Sequence, residues 1–108
     1  FPSALNGILC AITIQKMLRE HNESTRRESI LVRMGLHAGE VIRENQDYFG
    51  RNVILASRIS SHARENQILV SSILKEMTAS FSELEFESPL EVELKGLSGN
   101  TLIYPINW

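Results

Sequence analysis

Residues 33–63, RMGLHAGEVIRENQDYFGRNVILASRISSHA, constrain the fold more than any other part of the chain. With the three residues before them they open in strict alternation. Ile30, Val32, Met34, Leu36 and Ala38 share one face; Leu31, Arg33, Gly35, His37 and Gly39 share the other. A period of two predicts a strand over residues 30–42 whose first face meets a core. The glycines of the second face admit a close approach from another backbone or permit a bend. A polar turn follows at residues 44–47. After Gly50 the apolar residues Val53, Leu55, Ala56, Ile59 and Ala63 take helical spacing, with Arg51, Arg58 and Arg64 mostly on the polar side. Asn66 reads as the helix stop, and residues 67–71, QILVS, as a short apolar strand. This stretch also holds the densest set of polar side chains that chemistry could use: His37, Glu40, Asp47, Asn52, Arg58 and His62.

The remaining segments extend the alternation of helix and strand. Ser3 is placed to cap a helix over residues 4 to about 20, with Ala4, Leu5, Ile8, Leu9, Ile12 and Leu18 forming a broad apolar stripe. Cys10 falls on this helix as a small core residue. Residues 21–29 are polar and aperiodic and read as a connecting loop. Ser71 or Ser72 is positioned to cap a helix over residues 73–78. Residues 83–86, 90–97 and 101–106 alternate like strands, and Leu97-Ser98-Gly99-Asn100 is a hairpin turn candidate. The order α-β-α-β-α-β-β predicts a sheet covered by helices on one face, an α/β or α+β layer fold.

At 108 residues there is at most one domain, with room for one modest core. A hydrophobic content of 43% and a charged content of 22% are those of an ordinary globular chain. A net charge of -2 with no basic block argues against a nucleic-acid partner. The lone Cys10 excludes an intrachain disulfide and a cysteine-rich zinc site, and fits a cytoplasmic setting. No apolar run reaches the roughly 18 residues of a membrane span, and residues 4–14 lack the flanks of a secretory signal.

Three separated features assemble into a candidate site. A glycine-flanked turn carries Asp47, the helix after Gly50 carries Arg58, and the late hairpin carries Lys95 between Leu94 and Gly96. Arginine and lysine presented from two elements suit an anionic ligand such as a phosphate chain. By spacing alone they equally fit solvated surface cations.

The motifs LVRMGLHA (31–38), GEVI (39–42), DYFG (47–50), VILASR (53–58), Ala63 and QILVS (67–71) resemble, in order, the second half of class III adenylate/guanylate cyclase catalytic domains. FPSALNGILCAITIQ (1–15) is similar to that family's helix after its metal-binding hairpin, and ELKG (93–96) with residues 102–104 resembles its closing strands. The resemblance implies an α+β, ferredoxin-like nucleotide cyclase fold truncated on its N-terminal side, with helices packed on one mostly antiparallel sheet. Residues 1–108 would then be a partial nucleotide cyclase catalytic domain. The parent activity it implies is ATP to 3′,5′-cyclic AMP plus pyrophosphate, at sites between subunits of a head-to-tail dimer and with magnesium or manganese as metals.

Carried over by position, Arg58 matches the catalytic arginine that stabilises the pentavalent phosphorus, Asp47 the purine-contacting acid of adenylate cyclases, and Lys95 the lysine that grips the terminal phosphates. Two departures qualify the match. Ile54 stands where the family places its catalytic asparagine, four residues before the arginine; Asn52 lies two residues too early. The family's two metal-binding aspartates correspond to positions before Phe1, so this chain alone is expected to bind no metal, Glu40 and Asp47 being too few oxygens for magnesium. Two readings follow: part of a cyclase, inactive in isolation, or a non-catalytic cyclase-like dimerisation or nucleotide-sensing module. The expected partners are a nucleoside triphosphate and either another copy of the chain, as a homodimer or higher oligomer, or a complete cyclase domain.

Overall fold

The computed structural model of the chain describes residues 3–25, 28–38, 50–94 and 99–108, with the backbone alone at 50–53. The first helix, α1 (Ala4–Ser24), starts where the sequence says it should: the Ser3 hydroxyl accepts from the Asn6 N–H at 3.1 Å. Its buried face carries Ile8, Ala11 and Gln15. The helix continues through Ser24, into the segment expected to be loop. A tertiary contact explains the extension. The Asn22 side-chain amide donates to the Ile30 carbonyl and accepts from the Ile30 N–H, both at 2.8 Å, so the last turn is held by the chain that returns beside it.

The strand expected over residues 30–42 is shorter among the described residues: β1 is Met34–Leu36. Ile30 and Leu31 are 48% and 42% exposed and do not join the core. Their neighbour strand, β2 (Ile68–Ser71), runs parallel to β1 and begins opposite Met34, so the residues before it have no strand to pair with on that side. Side chains of α1 take over. Asn22 holds Ile30, and the Gln15 Nε2 donates to the Val32 carbonyl at 2.8 Å.

Parallel neighbours require a crossover, and α2 (Gly50–Ser61) supplies it. Next come α3 (Ser72–Thr78), β3 (Glu85–Phe86), β4 (Leu90–Glu93) and β5 (Asn100–Asn107). The main path of the sheet is β1-β2-β5-β3, with β4 also on β5; all pairings but β1–β2 are antiparallel. β3 and β4 follow one another along β5, but their registers differ by one residue: Phe86 faces Ile106 while Leu90 faces Ile103. The offset falls at Glu87-Ser88-Pro89, where Pro89 has no N–H for the ladder.

Strand alternation splits the core in two. Ile68 and Val70 of β2 and Ile106 of β5 join Ile8, Ala11, Leu74 and Leu84 on one face. Leu69 and Ile103 join Ile59, Ala63 and Leu94 on the other. The helices α1 and α3 therefore cover one face and α2 the opposite one, which corrects the expectation of helices on a single face. A crossover between adjacent parallel strands must pass over one face, and α1 and α3 already occupy the other. Each fully buried isoleucine or leucine contributes about 1.5–3 kcal/mol, so the β2–β5 centre, with Ile68, Leu69, Val70 and Ile103 all inaccessible, dominates the packing.

Candidate active-site face

The second face of β1 determines where α2 lies. A Cβ on Gly35 would stand 2.3 Å from the Ser60 nitrogen, 2.7 Å from its Cα and 2.8 Å from the Ala56 carbonyl oxygen. Backbone therefore rests on backbone, as the glycine-bearing face of the alternating run predicts. The residues of α2 that turn inward are Ala56, Ile59 and Ser60; Ile54, Ser57, Ser61 and His62 are exposed and Arg58 is half-buried. Ile54 and Arg58 are four apart and so stack on one outward stripe.

Arg58 is the candidate site residue that the described structure contains, and it lies in the last turn of α2. Its carbonyl accepts from the Ser61 hydroxyl at 2.6 Å, and the Ser57 carbonyl from the Ser60 hydroxyl at 2.7 Å. These bonds occupy the serine protons within the helix. Among the described residues no hydrogen bond or ion pair engages the guanidinium. A guanidinium with no partner among the described residues has donors to offer an incoming anion. Asp47 and Lys95 lie outside the described residues, as do Glu40 and the side chain of Asn52. His62 is exposed one turn beyond Arg58. His37 is half-buried directly after β1, on the same side of the strand as Gly35.

Ile54 is 48% exposed, a hydrocarbon on an otherwise polar stripe. It offers nothing to a ligand that needs a hydrogen bond. As to metals, no group of three or more His, Cys, Asp or Glu side chains that could hold an ion exists among the described residues.

Three clefts lined by described residues do not include Arg58. One of about 420 Å³ runs between α3 and the strands, lined by Lys75, Ala79, Phe86, Glu87, Ser88 and Tyr104. Two more, of about 310 and 330 Å³, flank Trp108. The Trp108 indole donates to the Asn66 carbonyl at 2.9 Å, and the Arg19 guanidinium lies 4.1 Å from its ring centroid. Sequence reasoning assigned Trp108 and Gln15 no role. For Gln15 a signal existed: it is seven residues from Ile8, on the apolar stripe of α1. For Trp108 the partner is 42 residues away in sequence, and no local pattern announces it.

Comparison with known proteins agrees with this architecture. The family profile described as "Adenylate and Guanylate cyclase catalytic domain" matches residues 3–107. "Putative adenylate cyclase 3" of Rhizobium meliloti (strain 1021) is 26% identical over 98 residues, which cover 90% of this chain and 17% of the relative. The crystal structure of an adenylate/guanylate cyclase/hydrolase from Silicibacter pomeroyi superposes with a TM-score of 0.81 at 25% identity, over 98% of this chain and 63% of that one. The crystal structure of the adenylyl cyclase CyaB from P. aeruginosa gives a TM-score of 0.67 at 25% identity, over 94% and 55%. The chain spans less than two thirds of the length of each of these proteins. No described helix is long and apolar enough to cross a membrane. With the profile match extending over nearly the whole sequence, the chain belongs to the adenylate and guanylate cyclase catalytic-domain family.

Proposed function

We propose that residues 1–108 are part of a nucleotide cyclase catalytic domain whose parent protein converts ATP to 3′,5′-cyclic AMP and pyrophosphate in intracellular signalling. In that reaction the ribose 3′-oxygen bonds to the α-phosphorus, the bond from that phosphorus to the pyrophosphate oxygen breaks, and the hydroxyl proton is released. Negative charge grows on the equatorial oxygens, and a planar, permanently charged donor is best suited to meet it. Arg58 is assigned that role. Asp47 is assigned to the adenine amino group, which donates where guanine presents an oxygen, and Lys95 to the terminal phosphates.

The observation that carries this reading is the Arg58 guanidinium itself. It belongs to a half-buried residue on the outward stripe of a helix whose backbone is pressed against Gly35, and has no partner among the described residues. We assign no magnesium or manganese to residues of this chain. The site is completed by another polypeptide, as a homodimer or higher oligomer or as a heterodimer with a complete cyclase domain, and the isolated chain is inactive. Calorimetry with ATP and magnesium tests the Arg58 assignment. Arg58→Ala should weaken binding by roughly ten- to a hundredfold, the worth of one charged hydrogen bond. Unchanged affinity would remove the assignment. The purified chain with manganese and ATP should form no cyclic AMP, and clear turnover would refute the claim of inactivity.

Ile54 favours a second reading. A hydrocarbon one turn before Arg58 cannot donate to the transferring phosphate, which suits a non-catalytic dimerisation or nucleotide-sensing module. The two readings separate when the chain is mixed with a complete cyclase. A partial active domain adds cyclic AMP formation to the mixture. A module forms the mixed dimer and leaves turnover per complete subunit unchanged or changed only by regulation.

A further inference from the structure

We propose that Trp108 is a positioning residue for Arg58. The proposal rests on the reading of Arg58 as a phosphate-contacting group. Ile59 and Ala63 seat α2 and its exit on the sheet through Leu69, Leu94 and Ile103, and two further contacts bear on where Arg58 lies. Gly35 sets the height of α2 above the sheet, because the helix backbone touches the strand at Ala56 and Ser60, on either side of Arg58. The position of its last turn depends on how its C-terminal end is tied down.

That end is tied in steps. The His62 and Ala63 N–H groups donate to the Ile59 and Ser60 carbonyls at 3.1 and 3.0 Å and close the final turn. The Arg64 N–H donates to the Gln67 Oε1 at 2.8 Å, and the Gln67 N–H returns to the Arg64 carbonyl at 3.0 Å. Between them Asn66 takes a positive φ of 65°, which turns the chain into β2. Both of its backbone polar groups are used over long range: the N–H donates to the Val32 carbonyl at 3.1 Å, and the carbonyl accepts from the Trp108 indole at 2.9 Å.

The indole is itself held. Arg19 of α1 covers the ring at 4.1 Å, and β5 is paired with β3 up to Asn107, the residue before Trp108. Trp108 therefore connects the exit of α2 to β5 within the sheet and to α1 on its far side. Releasing the Asn66 carbonyl leaves the exit turn held by fewer bonds, so the last turn of α2, which carries Arg58, should shift while Ile59 and Ala63 stay on the sheet. A helix rises 1.5 Å per residue, and a misplacement near one ångström is enough to weaken an oriented contact severely.

Trp108→Phe keeps a ring for Arg19 and removes the N–H, so the variant should fold. The first readout needs no nucleotide. Nuclear magnetic resonance should show a displaced Arg58 Nε–H resonance, and amide exchange at residues 59–66 should rise by about three- to tenfold, the worth of one neutral hydrogen bond. An Arg58 resonance that does not move would overturn the proposal. The second readout is a double-mutant cycle on ATP–magnesium affinity. Trp108→Phe should weaken binding by about three- to tenfold when Arg58 is present and by less than about twofold in the Arg58→Ala background. Equal losses in both backgrounds would mean that Trp108 acts on the fold and not through Arg58, and would overturn it too. If Arg58→Ala binds ATP as the unaltered chain does, the phosphate reading fails by itself, and the resonance arm alone decides the positioning.

Discussion

The backbone nitrogen of Ser60 lies 2.3 Å from where a side-chain carbon of Gly35 would be. No real Cβ sits that close to a backbone atom, so α2 and β1 can pack as they do only because residue 35 has no side chain. The need is for space, since Gly35 does not take a positive φ; Gly99, at φ 79° with nothing within 4 Å, is the converse case. Gly35→Ala should lift α2 by about an ångström. Such overpacking costs about 1–3 kcal/mol, while the unfolded-state entropy removed by alanine returns only about 0.4–1 kcal/mol. The net effect is destabilisation, read as a lower urea midpoint at unchanged m-value. A midpoint equal to that of the unaltered chain would show that the helix is not in contact with the strand in solution.

The two capping serines should differ in worth. Ser71 accepts from the Leu74 N–H at 3.2 Å in a buried setting, and α3 has only seven residues. Ser3 caps the 21-residue α1 at an exposed end. Loss of an N-cap costs about 0.5–2 kcal/mol. Ser71→Ala should fall at the upper end, because it strands the buried Leu74 N–H; Ser3→Ala should fall at the lower end, where water replaces the hydroxyl. Equal midpoints in chemical denaturation would contradict this ordering.

Much of this was legible in the sequence where the deciding physics is local. The Ser3 cap, a cap at Ser71 or Ser72, a helix after Gly50 and the alternation that turns Gly35 toward another backbone were all readable within a few residues. Family membership was readable because several motifs occur in order over most of the chain. What stayed hidden depends on distant partners. Whether residues 30–33 are strand depends on where β2 begins, 35 or more residues later. The length of α1 depends on Asn22 meeting Ile30. The face that α2 covers depends on which face α1 already holds. Of the candidate site, Arg58 is placed on an outward stripe, while Asp47 and Lys95 lie outside the described residues.

Gln15 presents a test of sign. Its Nε2 is bonded to the Val32 carbonyl, but its Oε1 is buried with no partner among the described residues, on a residue that is 1% exposed. The Val32 carbonyl also accepts from the Asn66 N–H, so it remains satisfied if the glutamine amide is lost. Gln15→Leu removes one neutral hydrogen bond, worth about 0.5–1.5 kcal/mol, and relieves an orphaned acceptor that costs about 1–3 kcal/mol. The variant should be as stable as the unaltered chain or more stable, by up to about 1–2 kcal/mol. A clear loss of stability in thermal unfolding would mean that the Oε1 has a donor in solution, such as a buried water.

Ile54→Asn tests whether the outward stripe of α2 can be given the hydrogen-bonding group that the cyclase resemblance expects one turn before Arg58. At 48% exposure Ile54 contributes little to the core, and substitutions at such surface positions usually stay within about 0.5 kcal/mol. The helix should therefore tolerate the change, with circular dichroism and the unfolding midpoint preserved. If residues 1–108 are one wall of an active site, the asparagine amide can reach the same phosphate region as Arg58, since the two are four residues apart on one face. Cyclic AMP formation by a mixture of this variant with a complete cyclase should then exceed that of the unaltered chain in the same mixture, and the gain should vanish when Arg58→Ala is added. An unchanged rate from a preserved fold would favour the non-catalytic module, whose outward stripe serves association instead of phosphoryl chemistry.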